Sequence, residues 1–203
     1  MGSIQVAAHQ KKARDHAGTL IFTDESGFLL APLARPSLAP RGKTPILLQR
    51  ARHRDKVSVA AALTVSPVRG HLGLYYQSYP NGYVNADVYA LFLRALLRSV
   101  HTPLVVVQDQ GSMHKGPFIR AVTSAFPRLD LNMLPPYAPH YNPVEGLWNL
   151  VKHHQLGNFA PLDLRQLNAT VHDRLDQCRK DQQRLRSFFL QSHLPMGGVT
   201  GFI

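Results

Sequence analysis

The chain has 203 residues, 44% of them hydrophobic, a formal charge of +11 and one cysteine, Cys178. That is enough for one domain with a packed core. It excludes a disulfide framework or thiolate zinc site, and no apolar run approaches the ~18 residues of a spanning helix. The N-terminus lacks a basic-then-apolar leader, which predicts a cytoplasmic protein. The charge points to a polyanionic partner, nucleic acid first and a membrane surface second.

Residues Met1–Gly18 are polar and basic without a firm period and read as an arm or short helix. Thr19–Thr23 (TLIFT) is an apolar, β-branched run that predicts a buried strand with Asp24 at its C-terminal end. Glu25, Ser26 and Gly27 would then turn the chain. Glu25 follows Asp24 and so points to the opposite face of an extended chain.

Leu29–Gln49 is a long Pro-rich connection, of the kind that tends to be functional, and contact with a substrate backbone is expected there. Between Arg41 and Lys56, six basic residues (Arg41, Lys43, Arg50, Arg52, Arg54 and Lys56) face one acid, Asp55. Such one-sign clustering suits phosphate contact better than solubility, which mixes signs.

Val57–Val65 and His71–Tyr79 read as two strands of an antiparallel hairpin joined by the turn Ser66–Gly70. Asn85 caps a helix through Ser99, with Val88, Leu91, Phe92, Ala95, Leu96 and Ser99 as its apolar side. Leu104–Val107 (LVVV) predicts a strand buried on both faces and central in the sheet. Asp109 follows at once; it either caps a turn or does chemistry, because a carboxylate after an apolar strand is costly unless paired.

Pro117–Phe126 predicts a helix and Leu129–Leu134 a fifth strand. In Leu134–Lys152, Asn142 is an N-cap and Pro143 suits the first helical position. Val144, Leu147, Trp148 and Val151 form one apolar stripe. Glu145 lies off it, either as a capping-box partner of the Asn142 N–H or as a functional acid. Leu162–Ser187 predicts one long or broken helix with a seam of Leu164, Leu167, Val171, Leu175 and Cys178. No internal repeat or low-complexity segment is present, and Met196–Ile203 carries no signal.

The order is β-β-β-α-β-α-β-α-α. If strand four lies beside strand one, Asp24 and Asp109 become neighbours and the helix after the fifth strand brings Glu145 to them. Three acids in a basic surface would repel one another and raise their pKa values unless a divalent cation sat between them. Carboxylate oxygens suit Mg²⁺. A pair of such ions roughly 3.5–4 Å apart can drive in-line phosphodiester attack.

The strings TDESGF (23–28), APRGKTP (39–45), VVVQDQGSMHKG (105–116) and PPYAPHYNPVEGLW (135–148) resemble the DDE transposases of bacterial insertion sequences, within the mariner-like superfamily. The spacing of Asp109 and Glu145, 36 positions, agrees with that resemblance. It implies an α/β, ribonuclease-H-like mixed five-stranded sheet flanked by helices over residues 19–160. A basic arm (1–18) would precede it, and a C-terminal helical extension and tail (161–203) would follow. It also implies metal-dependent DNA cleavage at terminal inverted repeats and strand transfer. Asp24, Asp109 and Glu145 would be the catalytic and metal-holding acids for two Mg²⁺, with Mn²⁺ as a substitute.

His114 matches the family's histidine near the site, or is a packed loop histidine. Arg41, Lys43, Arg50, Arg52, Arg54, Lys56, His114, Lys115 and Lys152 form the expected DNA-contacting set. Gln110 stands where relatives carry Asn. Only Met1–Gly18 precedes the first strand, too little for the relatives' helix-turn-helix reader. A catalytic half is therefore expected: one product of a split reading frame, a truncated remnant, or a domain whose helix-turn-helix reader another chain supplies. It would be a homodimer on double-stranded DNA, cytoplasmic in location, with the nucleoid when DNA-bound. Two other readings are a silent DNA-binding remnant and a ribonuclease-H-type nuclease.

Overall fold

Alternation along the strands sorts the apolar side chains into two cores, one on each face of a single sheet. The computed structural model describes residues 2–44, 46, 55–66 and 70–194, with side chains from residue 7 onward. Arg50, Arg52, Arg54, most of the Ser66–Gly70 turn and the tail Met196–Ile203 lie outside the described residues.

The strands are β1 (Thr19–Leu29), β2 (Lys56–Val65), β3 (Leu72–Pro80), β4 (Leu104–Gln108) and β5 (Leu129–Met133). Their order across the sheet is β3-β2-β1-β4-β5. β1–β2 and β2–β3 pair antiparallel, whereas β1–β4 and β4–β5 pair parallel, so the sheet is mixed. β1, not β4, is the central strand.

The helices are α1 (Gly2–Asp15), α2 (Ala86–Ser99), α3 (Pro117–Ala125), α4 (Pro143–Trp148), α5 (Leu164–Lys180) and α6 (Gln182–Gln191). On one face Ile21, Ala60, Ala62, Leu104 and Val106 pack against α2 and α3. On the other, Leu20, Phe22, the odd-numbered residues Val57–Val65, Val105 and Val107 pack against α4, α5 and α6. The C-terminal helices thus share a core with the sheet. They are also tied to β3 by polar contacts: the Tyr76 hydroxyl donates to Asp176 at 2.7 Å, and Ser78 and His172 are hydrogen-bonded at 2.7 Å. Among the described residues, no helix is long and apolar enough to cross a membrane.

Two expectations change, and the N-terminal segment resolves to the helix among its two readings. The turn at Glu25–Gly27 is strand instead: β1 keeps its pairing with β2 as far as Leu29↔Lys56, so Asp24 sits mid-strand. The N-terminal arm is a 14-residue helix, anchored by buried Ala13 and by a Lys12–Asp130 ion pair of 2.8 Å. Helix α2 has the predicted limits and its Asn85 cap, but its buried side is Tyr89, Ala90, Phe92, Leu93, Leu96 and Leu97, while Leu91 is 57% exposed. The rotation buries Tyr89 because its hydroxyl finds Thr23 and Gln108, at 2.8 and 2.7 Å.

The stripe Val144, Leu147, Trp148 and Val151 is buried as its spacing predicts. The C-terminal helix is the broken alternative: it ends at Lys180, and Asp181 caps α6 by accepting from the Arg184 N–H.

Candidate active site

Strand parity decides which acids meet. Phe22 pairs with Val107, so two residues further along the parallel strands Asp24 stands level with Asp109. Both share the parity of the face that α4 covers, and Glu145 is in the first turn of α4. The three acids line one cavity of about 390 Å³, which Asn142, Gln110 and the Pro135–Pro139 turn complete. Asp24 and Glu145 also line an adjoining cavity of about 620 Å³, shared with Trp148, Lys152 and His153.

Helix α4 is fixed here by its own sequence. Asn142 caps it by accepting the Val144 N–H, and its amide donates to the Thr23 carbonyl at 3.1 Å, which ties the helix start to β1 beside Asp24. Gly146 lets the helix approach α6 closely; a Cβ there would lie 3.1 Å from Phe188. Trp148 packs edge-on against Phe28 and donates its indole N–H to Asp24 Oδ2 at 3.0 Å. The capping-box alternative for Glu145 fails: the Asn142 N–H donates to the Pro139 carbonyl at 2.7 Å. Glu145 is exposed at the cavity mouth, as a ligand-facing acid needs to be.

The electrostatics follow from crowding. Burial first, then the charges of Glu145 and Glu25, push the Asp24 carboxyl up to about 8. Partial burial raises Glu145; Lys152 opposes the rise and Asp109 adds to it. Burial pulls Lys152 down, against the pull of Glu145 and Asp24.

Asp109 differs. His114 Nε2 lies 2.9 Å from its Oδ1, and the Gly111 N–H donates to the same oxygen at 2.8 Å. The His114 contact is the main reason its carboxyl falls below the usual range. Although burial opposes the charge on His114, hydrogen bonds to Asp109 and Glu25 hold its pKa at about 9. Glu25 reaches His114 at 3.5 Å on the sheet face opposite Asp24, as strand alternation predicts.

His114 cannot be the DNA contact expected of it. It is 2% exposed and packed edge-on against Tyr89. Lys115 is exposed beside it, and Arg41 and Lys43 are exposed in the loop after β1. Lys56 lies over the Tyr83 ring at 3.3 Å. Lys152 faces Asp24 and Glu145 rather than an outer rim.

Among the described residues, no three His, Cys, Asp or Glu side chains converge tightly enough to hold one ion as they stand. Asp24 is turned to Trp148 and Asp109 to His114. The donor set still suits a hard divalent cation: all are carboxylate oxygens, and the repulsion on Asp24 is the kind such a charge relieves. Sequence reasoning missed Trp148 as a donor, because its spacing assigned it wholly to the core. It also missed the second bond of Asn142, which only the packing of α4 on β1 creates.

A sequence model of DDE superfamily endonucleases matches residues 19–168. No curated protein matches the chain. Among solved structures, the chain is similar to the Mos1 transposase paired-end complex with left transposon end, at 17% identity and a TM-score of 0.61, covering 98% of this chain and 60% of that one. It is similar to the Mos1 strand transfer complex at 15% identity and TM-score 0.62, covering 99% and 60%. It is also similar to the Mos1 transposase catalytic domain with raltegravir and Mg, at 15% identity and TM-score 0.54, covering 98% and 86%. The chain thus spans about 60% of the length of the Mos1 chains in the first two. These likenesses identify the fold as ribonuclease-H-like, the sheet expected from the sequence. With three quarters of its length inside the match, the chain belongs to the DDE superfamily endonucleases.

Proposed function

We propose that this chain is the catalytic domain of a DNA transposase, which cuts duplex DNA at transposon ends and joins the freed ends to target DNA. The observation that carries the reading is the shared cavity of Asp24, Asp109 and Glu145 in a chain of this endonuclease family. Its support from relatives is that Mos1 is seen with a transposon end, in a strand transfer complex and with Mg.

Asp24, Asp109 and Glu145 would hold two Mg²⁺, or Mn²⁺ in their place. The chemistry such cations supply is activation of an attacking oxygen and stabilisation of the leaving oxygen at phosphorus. The protein's own part is placement. Trp148 steers Asp24 through its indole N–H, and Asn142 locks α4, and with it Glu145, to β1. His114, braced by Glu25, holds Asp109. Lys152 offsets the negative charge between Asp24 and Glu145.

Residues 19–160 form the catalytic unit in this reading, and 161–203 its helical extension and tail. Arg41, Lys43, Lys56 and Lys115, with Arg50, Arg52 and Arg54, supply phosphate contacts. The working form is a homodimer in the cytoplasm, at the nucleoid when on DNA.

Conversion of supercoiled plasmid to nicked and linear forms in Mg²⁺ tests the reading. Activity is expected for the wild type and not for Asp109→Asn. DNA binding without nicking in Mg²⁺ or Mn²⁺ would make the chain a silent remnant, and cleavage confined to RNA–DNA hybrids would make it a ribonuclease.

A further inference from the structure

After β1 the chain does not run free. Leu33 forms a parallel bridge with Gly157, and the Asn158 N–H donates to the Leu33 carbonyl at 2.9 Å. The Asn158 side chain then grips Arg35 from both sides: it accepts the Arg35 N–H at 2.7 Å and donates to the Arg35 carbonyl at 3.0 Å. Asn158 holds φ 60°, a left-handed conformation that asparagine tolerates better than most residues. Gly157 makes room for the arginine stem; a Cβ there would lie 2.8 Å from the His153 carbonyl and 3.0 Å from Arg35 Cγ. Arg35 Nε donates to that carbonyl at 3.4 Å.

The clasp fixes the Arg35 backbone, and the Nε bond to the His153 carbonyl sets this exposed side chain beside two imidazoles. Arg35, His153, His154 and Asn158 line a recess of about 500 Å³ together with Pro36 and Gly157, and no carboxylate lines it. Among the described residues, none of the ion pairs includes Arg35. His153 Nδ1 is buried without a hydrogen-bond partner. His153 also lines the cavity of Asp24 and Glu145, so the recess opens beside the acids. The segment Asn149–Gln155 that presents both histidines is a π-helix, a form often found at functional sites.

We propose that Arg35, His153, His154 and Asn158 form a phosphate subsite that takes one backbone phosphodiester of duplex DNA next to the bond to be cut. Asn158 fixes the Arg35 backbone and the His153 carbonyl takes its Nε–H, which together aim the guanidinium at the recess; such a fork pairs with phosphate oxygens two at a time. A loop arginine held this way loses little freedom on binding, unlike the exposed lysines elsewhere. The proposal rests on the reading that duplex DNA is the substrate.

The test is binding of a fluorescent duplex oligonucleotide in EDTA across a salt series, which needs no cleavage. Removing one phosphate contact by Arg35→Ala should lower the slope of log K against log salt by about 0.9 and weaken binding several-fold at low salt. Gly157→Ala and Asn158→Ala keep every charge but displace Arg35, and both should also weaken binding, with circular dichroism reporting an intact fold. Arg94→Ala, an exposed arginine on α2, should leave the slope in place.

An unchanged slope in Arg35→Ala overturns the subsite. So does an equal fall in Arg94→Ala, full binding by both clasp variants, or a wild type that does not bind duplex DNA. A wild type that binds with the Arg35-dependent slope but never nicks plasmid keeps the subsite and removes only the catalytic reading.

Discussion

Replacing Asp24 with asparagine should stabilise the metal-free protein, by an amount that grows with pH. Burial and the charges of Glu145 and Glu25 raise the Asp24 carboxyl from 3.8 to about 8. The native state therefore binds this proton more tightly than the unfolded chain does. The stability so conferred is whole below about pH 4 and is lost as pH climbs through about 8. At about 1.4 kcal/mol per unit, the wild type forfeits about 1 kcal/mol by pH ~4.5 and about 5 kcal/mol by pH ~7.5. Asparagine does not titrate, and its carbonyl can still accept the Trp148 N–H.

Urea unfolding in EDTA at both pH values measures the difference. The variant's advantage should widen by about 4 kcal/mol between them. Mg²⁺ should restore the wild type at the higher pH, because a ligand of the native state adds stability by mass action. The variant should not cleave DNA. An advantage that does not change with pH would refute the claim that Asp24 is held against its charge.

Glu145→Gln and Glu145→Ala should both fold within about 1 kcal/mol of the wild type and both fail to nick plasmid, since the glutamate caps nothing; a loss above about 2 kcal/mol in the alanine variant alone would restore the capping role. Asn142→Ala removes a cap and the bond to the Thr23 carbonyl, so it should cost about 2–3 kcal/mol in denaturant unfolding and slow cleavage by freeing α4. Arg128 donates to the carbonyl of Leu97 in the last turn of α2 and to those of Val100 and Thr102 just beyond it. Arg128→Ala should cost about 2–4 kcal/mol in thermal or urea unfolding, with the acids of the site untouched.

The limits of α4 show how far the linear chain reaches. Asn142, Pro143 and the stripe Val144, Leu147, Trp148 and Val151 fix a helix with a known buried face, because capping and periodicity are local properties. The apolar runs of β1, β2 and β4 are legible for the same reason. So is the opposition of Asp24 and Glu25, which side-chain alternation alone imposes.

Other features depended on partners distant in sequence. β1 extends to Leu29 because β2 supplies a full antiparallel partner, which the polar run Asp24–Gly27 does not announce. Helix α2 turns on its axis because Thr23 and Gln108, from two strands, satisfy the Tyr89 hydroxyl. His114 looked like a contact for DNA and is instead buried between Asp109 and Glu25. The sequence by itself determined which acids exist and on which face of a strand or helix each stands. The tertiary structure decided which donor each one meets, because hydrogen bonds and charge coupling act through space, between groups as much as 124 positions apart in the Trp148–Asp24 pair.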